Sequence, residues 1–438
     1  MSPFLNTMIW HRSERLMLAV TLLLASYTAE AVPLSLSAAL SIAEQHSPEL
    51  TANSAQISAA QSASTPAGSL PNPKVYVGLD NFPVTGDAAG QLNRDNMTMS
   101  KFGIMQDIPH AAKRQAQVDI STAKIDVAQA QRLVARRTLR EKTAIAWLNR
   151  YYLERKIELF DSLFNENKLL AQTIRAQIAS GRSQVTDVVL PQQEAAQLEN
   201  QRDDLNRDLS KAKLALRRYL GVQTTNGVDQ SNDQTLTQAV PELPINIDQL
   251  QLYARHHPEI LAFTAESQLA HARIGEAHAL KKSDLSVEFG YYHRAPQFGD
   301  MIGIELTYEL PILSSHRVDP LIAAAQSEQA AIDAQREAML RDHINMLENG
   351  LADFVALNRQ LERANTTQLP LAQQKVALQL ASYQAGKADL SAVLIARREL
   401  IEQRLNIITL ENRRAVTAAQ LYFAYGNSGS DLQGAHLK

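Results

Sequence analysis

The chain repeats itself with a period of about 205 residues, and this duplication narrows its possible folds more than any other feature. Ser47-Pro48-Glu49-Leu50 returns as His257-Pro258-Glu259-Ile260. Gly103-Ile104, then Asp107-Ile108-Pro109, returns as Gly303-Ile304, then Glu309-Leu310-Pro311. Gly181-Arg182-Ser183-Gln184-Val185 with Val188 to Leu190 and Glu194 returns as Gly386-Lys387-Ala388-Asp389-Leu390 with Val393 to Ile395 and Glu399. Gly221 and Gly426 close the two halves at a matching offset. Four matches in the same order describe one unit used twice.

Each unit reads as a helix, two strands, a very long helix and a shorter helix. Pro48 and Pro258 stand where a first helical turn tolerates a missing N–H, and the acid after each suits the helix dipole. The strands are clearest in the second half. Leu285, Val287, Phe289 and Tyr291 alternate with Ser286, Glu288 and Gly290, and Ile302, Ile304, Leu306, Tyr308 and Leu310 alternate with Gly303, Glu305, Thr307 and Glu309. In the first half Val75, Val77 and Leu79 alternate with Tyr76, Gly78 and Asp80, while residues 97–108 alternate less cleanly. Segments of about ten residues with one apolar face suit tilted strands that cross about 25 Å of lipid. The same period of two also fits a half-buried hairpin in a water-soluble protein. Four such strands per chain cannot close a barrel, because the smallest membrane barrels have about eight. An open edge in lipid would leave backbone groups unpaired, so the reading requires several copies.

The helices give the second dimension. No Pro or Gly occurs between Ala111 and Ala179, and only Gly350 and Pro370 interrupt Leu321 to Gly386. A helix of about seventy residues would extend about 105 Å. Leu340, Ile344, Leu347, Leu351, Phe354 and Leu361 form a heptad seam, and Ile145, Leu148, Tyr152, Leu159 and Leu163 form a similar stripe. Each long helix is expected to follow its hairpin directly and to end at a Gly turn.

The ends and composition limit function. His11, Arg12 and Arg15 precede an apolar run from Leu16 to Ala25, and Ala29-Glu30-Ala31 supplies a small-x-small cleavage pattern. The run is too short for a membrane helix, so residues 1–31 read as an export signal. Nothing after residue 31 is long and apolar enough to be a transmembrane helix. Cysteine is absent, which rules out disulfides and thiolate metal sites. A net charge of −3 gives no sign of nucleic-acid binding. No nucleophile elbow, phosphate loop or H-E-x-x-H pair occurs, so the chain is expected not to be an enzyme and to need no cofactor. His256 and His257 are expected to mark a helix start, while His271 and His278 are two turns apart. His110, His293 and His316 have no evident ligand partner, and no high-affinity metal site is expected.

These features resemble the TolC-like outer-membrane efflux proteins over nearly the whole exported chain. The resemblance rests on Leu36 to Leu50, on Gln106 to Arg114 (QDIPHAAKR) and on the Gly-turn motifs after Ile178 and Tyr383. Within the family, Asp80-Asn81-Phe82-Pro83, Met97-Thr98-Met99, Gly103 to Pro109 and Lys113-Arg114 look most like the CzcC-type heavy-metal branch. The resemblance implies an α+β, mostly α protein: a homotrimer whose β-barrel takes four strands from each subunit, continued by a long periplasmic α-helical barrel. The divisions are the signal 1–31, a first repeat 32–221 with its hairpin near 73–108, an equatorial linker 222–246, a second repeat 247–426 with its hairpin near 284–311, and a tail 427–438. It also implies a periplasmic membrane-fusion adaptor and an inner-membrane resistance-nodulation-division pump as partners, and outer-membrane lipid around the barrel. The family narrows its channel at the periplasmic tip with rings of carboxylates. Here the tip turns start at Gly181 and Gly386, Asp187 and Asp389 are the candidate acids, and Arg182 and Lys387 are candidate partners holding the closed tip. Ala392 and Ile395 stand where the family often has acids, which puts a second ring in doubt. A multidrug or type I secretion duct would share the architecture. A periplasmic adaptor would need β-rich domains flanking a single hairpin.

Overall fold

A computed structural model describes residues 34–181, 184–221, 255–312 and 314–425, with 224–225, 228–229 and 236 between them. Ala29, Ala31, Arg182, Gly426, most of the 222–246 linker and the 427–438 tail lie outside the described residues.

The first repeat begins with α1 (Leu36–His46) and α2 (Pro48–Ser64). Ser47 separates them: its hydroxyl accepts from Leu50 N–H at 3.2 Å, and Pro48 sits in the first turn of α2. Strands β1 (Lys74–Asp80) and β2 (Met99–Ile108) follow, then α3 (Ala111–Ala179), 69 residues long. A 3-10 turn at Val185–Val188 leads into α4 (Val189–Leu220). The short β3 (Thr224–Thr225) and β4 (Val228–Asp229) pair with each other.

The second repeat runs through α5 (Pro258–Ala279), β5 (Leu285–His293), β6 (Met301–Tyr308), α6 (Ser314–Arg317), α7 (Asp319–Arg363), a π-helical turn (Ala364–Gln368), α8 (Leu369–Gln384) and α9 (Leu390–Tyr425). In each repeat the two long strands pair as an antiparallel hairpin. In the second half the long helix does not follow its hairpin directly. Pro311 ends the strand path, the one-turn α6 intervenes, and Pro320 in the first turn of α7 restarts the helix.

The four long strands form one antiparallel sheet in the order β1-β2-β5-β6. The hairpins join along β2 and β5, with Gly103 opposite Gly290 and Ile108 opposite Leu285. Within the chain, the outer edges of β1 and β6 have no strand partner among the described residues.

The helices pack beside one another, α3 against α4, α5 and α9, and α7 against α5 and α9. Their largest shared core joins the two repeats through Leu36, Trp147, Leu148, Leu216, Ile408 and Phe423. Trp147 is fully buried, its indole N–H donating to Leu34 O at 3.0 Å and its ring stacked on Tyr151 at 5.4 Å. Leu148, Tyr152 and Leu163 of the expected first stripe are buried, and Trp147 and Phe160 join them.

Two details of the second seam differ from the heptad reading. Ile344 is exposed and its neighbour His343 is buried, because His343 finds polar partners on α5 and α9 that an isoleucine could not use. Further on, Leu361, Ala364 and Leu369 face Ile407 and Leu410, which makes a step of five residues in the stripe. The π turn absorbs that extra residue: Leu369 N–H reaches Ala364 O instead of the carbonyl four residues back.

Candidate functional site

The sheet has two chemically different faces. Val75, Val77, Ile104, Phe289, Ile302, Ile304 and Leu306 lie on one face, and Val75 and Ile304 are 77% and 72% exposed within the chain. The register places Lys74, Tyr76, Asp80, Lys101, Asp107, Ser286, Glu288 and Glu305 on the other. Exposed hydrocarbon on one side and paired charges on the other match a wall between lipid and water. On the polar side Lys74 meets Asp107 at 2.7 Å and Lys101 meets Asp80 at 3.3 Å, while Ser286 donates to Asp107 at 2.6 Å. Among the described residues, no helix is long and apolar enough to cross a membrane.

The QDIPHAAKR motif builds the joint between sheet and helices. Gln106 donates to Pro71 O at 2.8 Å as β2 ends, and Pro109 stops the strand. His110 caps α3 by accepting from Ala112 N–H at 3.1 Å. Lys113 pairs with Asp284 at 2.8 Å, and Asp284 also accepts from His110 N–H at 2.9 Å. Asp284 lies just before β5, so the motif of one repeat clamps the hairpin of the other.

At the far end of α3, Gly181 turns the chain at φ 72°, and Gly386 does so after α8 at φ 70°. Ile174, Leu390 and Val393 pack in one buried cluster, which sets the two helical hairpins side by side. The duplicated acids behave alike: Asn167 donates to Glu194 at 2.6 Å and Lys375 to Glu399 at 2.5 Å, each tying a return helix to its outgoing one. Asp187 accepts from Gln184 N–H at 3.3 Å, so this candidate aperture acid also caps its own 3-10 turn. Asp389 and Lys387 are exposed, and among the described residues no ion pair joins Lys387 to either acid.

A separate polar cluster lies where α5 begins, α7 passes and α9 ends. His257 caps α5, its Nδ1 accepting from Glu259 N–H at 3.2 Å, as the histidine-at-helix-start reading expected. Its ring lies 3.9 Å from the ring of His343, centroid to centroid. His343 Nε2 faces Glu259 Oε2 at 3.1 Å, and Tyr425 donates its hydroxyl proton to His343 O at 3.0 Å. Burial and the neighbouring His343 push His257 down to about 3. The bond from His343 holds the Glu259 carboxyl below its ordinary range, against the opposing effect of burial. His343 escaped the sequence reading because its partners stand more than eighty positions away in the chain. Its only local signal is a histidine beside the seam position taken by Ile344.

A family model described as outer membrane efflux protein matches residues 39–222 and again 250–427, one match for each repeat. The cobalt-zinc-cadmium resistance protein CzcC of Cupriavidus metallidurans is 23% identical over 382 residues, spanning 86% of each chain. Among solved structures, CusC superposes with a TM-score of 0.73 at 17% identity, covering 91% of this chain and 93% of that one. VceC of Vibrio cholerae gives a TM-score of 0.73 at 19% identity, covering 90% and 96%. The open MtrE channel of Neisseria gonorrhoeae gives 0.69 at 16%, covering 90% and 89%. The two-faced sheet, the clamped joint and the twin helical hairpins are thus the parts of a TolC-like channel, and the chain belongs to the outer membrane efflux protein family.

Proposed function

We propose that this outer-membrane channel is the exit duct of a tripartite pump for heavy-metal cations. The cargo reading rests on the likeness to a cobalt-zinc-cadmium resistance protein along 86% of the chain. Three copies, each adding a sheet of four strands, close a barrel of twelve, and the free edges of β1 and β6 then meet those of the neighbouring copies. A proton-driven transporter of the resistance-nodulation-division class and a periplasmic adaptor deliver the cargo to the helical tip.

At that tip Asp187 and Asp389 supply negative charge that favours cations, and Arg182 and Lys387 help hold the closed state. Replacing both acids by Asn lowers the preference for cations over anions in planar bilayers.

The cargo is tested by growth of a deletion strain on graded zinc, cobalt, cadmium, nickel, copper and silver, with dyes and antibiotics alongside. Sensitivity to one or more metals with unchanged dye tolerance is the expected result. Sensitivity to dyes or drugs alone would move the chain to a multidrug or secretion duct of the same fold.

A further inference from the structure

The corner formed by His257, Glu259, His343 and Tyr425 has a counterpart in the first repeat. There the equivalent elements meet as the start of α2, the body of α3 and the end of α4. Leu50, Ala135 and Leu139 fill that corner with hydrocarbon, packed against Tyr219, and Ser47 provides the helix cap. The same fold thus closes this corner without histidine. In the second copy two imidazoles, a carboxylate and a phenol converge from three helices instead.

Polar contacts run through these groups from Tyr425 by way of His343 to Glu259. Tyr425 has one hydroxyl proton, and it points to His343 O at 3.0 Å. The same phenol oxygen lies 3.2 Å from His343 Nδ1. On the other side of the ring, His343 Nε2 stands 3.1 Å from the Glu259 carboxylate oxygen. A divalent cation can take the place of the proton shared between that nitrogen and that oxygen. His257 adds a second nitrogen, the Nδ1 that accepts from Glu259 N–H and gives that lone pair to the cation on binding. The donor atoms of His257, Glu259 and His343 lie within 4.8 Å of one another.

We propose that this corner binds one divalent transition-metal cation through His343 Nε2, the Glu259 carboxylate and His257. Two imidazoles and one carboxylate suit zinc or cobalt(II), and a set without thiolate or thioether does not favour soft monovalent cations. Tyr425 holds the His343 ring from behind, as partners of metal-bound histidines commonly do. Both histidines are buried, while the Glu259 side chain stays 38% exposed and offers a way in. Arg137 lies close by, and the Glu141 carboxylate on the same helix acts against its charge. A bound cation links the start of α5 to the middle of α7, and Tyr425 ties the end of α9 to the same histidine. The proposal concerns a resident site and holds whatever cargo the channel carries.

The first repeat supplies the test variants. His343→Leu and His257→Ser install the residue types found in the apolar corner at Leu139 and Ser47. Full-length protein purified without a polyhistidine tag is titrated with cobalt(II), and the visible d–d absorption is followed. The wild type is expected to take up one equivalent per chain, released by zinc, with zinc raising its melting temperature. Both variants should keep the wild-type oligomer and circular dichroism while binding weakens at least about tenfold. Absence of the band in the wild type, or a band of equal strength in both variants, would overturn the proposal. The second outcome assigns the cobalt to exposed histidines.

Discussion

A Cβ on Gly103 would stand 2.1 Å from the Tyr76 ring and 2.6 Å from the Phe289 carbonyl oxygen. The ring can swing aside, but the carbonyl belongs to the neighbouring strand. Gly290 and Gly303 continue the row across β5 and β6, and Tyr76 and Tyr292 lie over these glycines. Gly103→Ala should therefore force β2 away from β5 at a cost of about 1–3 kcal/mol. The assembled oligomer should then dissociate at a lower temperature on a heated gel. Gly78→Ala on the same face is the control, since its Cβ would meet only the side chain of Lys101 at 3.5 Å. Equal heat stability of the two variants would show that the strand contact is not rigid. Legibility at this scale was uneven. The alternation of Val75, Val77 and Leu79 announced a strand face because a pleat repeats every two residues. The polar corner was hidden because His257 and His343 touch only after α5 and α7 have packed.

Among the elements, the helices show why periodicity carried most of the fold but not its irregularities. An unbroken run free of Gly and Pro fixed α3 to within a residue or two, since nothing in 111–179 opposes helix. Asn365, Thr366, Thr367 and nearby Pro370 weaken the helix here, but the π turn itself was not legible, because the extra residue shows only as a step of five against α9. Such a turn inserts one residue while keeping the flanking faces in phase. Deleting the exposed Thr366 should convert it to a plain α-helix and leave Leu361, Ala364 and Leu369 on the same side. Oligomer yield and complementation of a deletion strain should stay near wild type. Deleting the exposed Lys168 from α3 has no such slack. It rotates the rest of the helix by about 100° and pulls Ile174 out of the buried cluster with Leu390 and Val393. That variant should fail to complement a deletion strain, and equal behaviour of the two deletions would refute the phase argument.

For the whole molecule, duplication and membrane insertion are one problem. Two copies of a hairpin give a sheet with two open edges, and only further chains can close them in lipid. The apolar face must then be the outer face, and neighbouring residues of one strand should respond oppositely to the same substitution. Ile304 lies in an apolar row with Ile104 and Phe289, near the middle of the hairpin. Ile304→Arg places a charge toward lipid at about 2–4 kcal/mol per subunit, a cost multiplied by every copy in the barrel. The variant should be missing from the outer-membrane fraction. Glu305, one residue on, faces Glu288 across the strands on the polar side. Glu305→Arg turns a like-charge pair into an attractive one, so assembly should be retained or improved. Its channels should favour cations less than wild type in planar bilayers. If both variants assemble equally well, the sheet does not sit in lipid as its two faces require. If Glu305→Arg alone is lost, the assignment of lipid and lumen faces must be reversed.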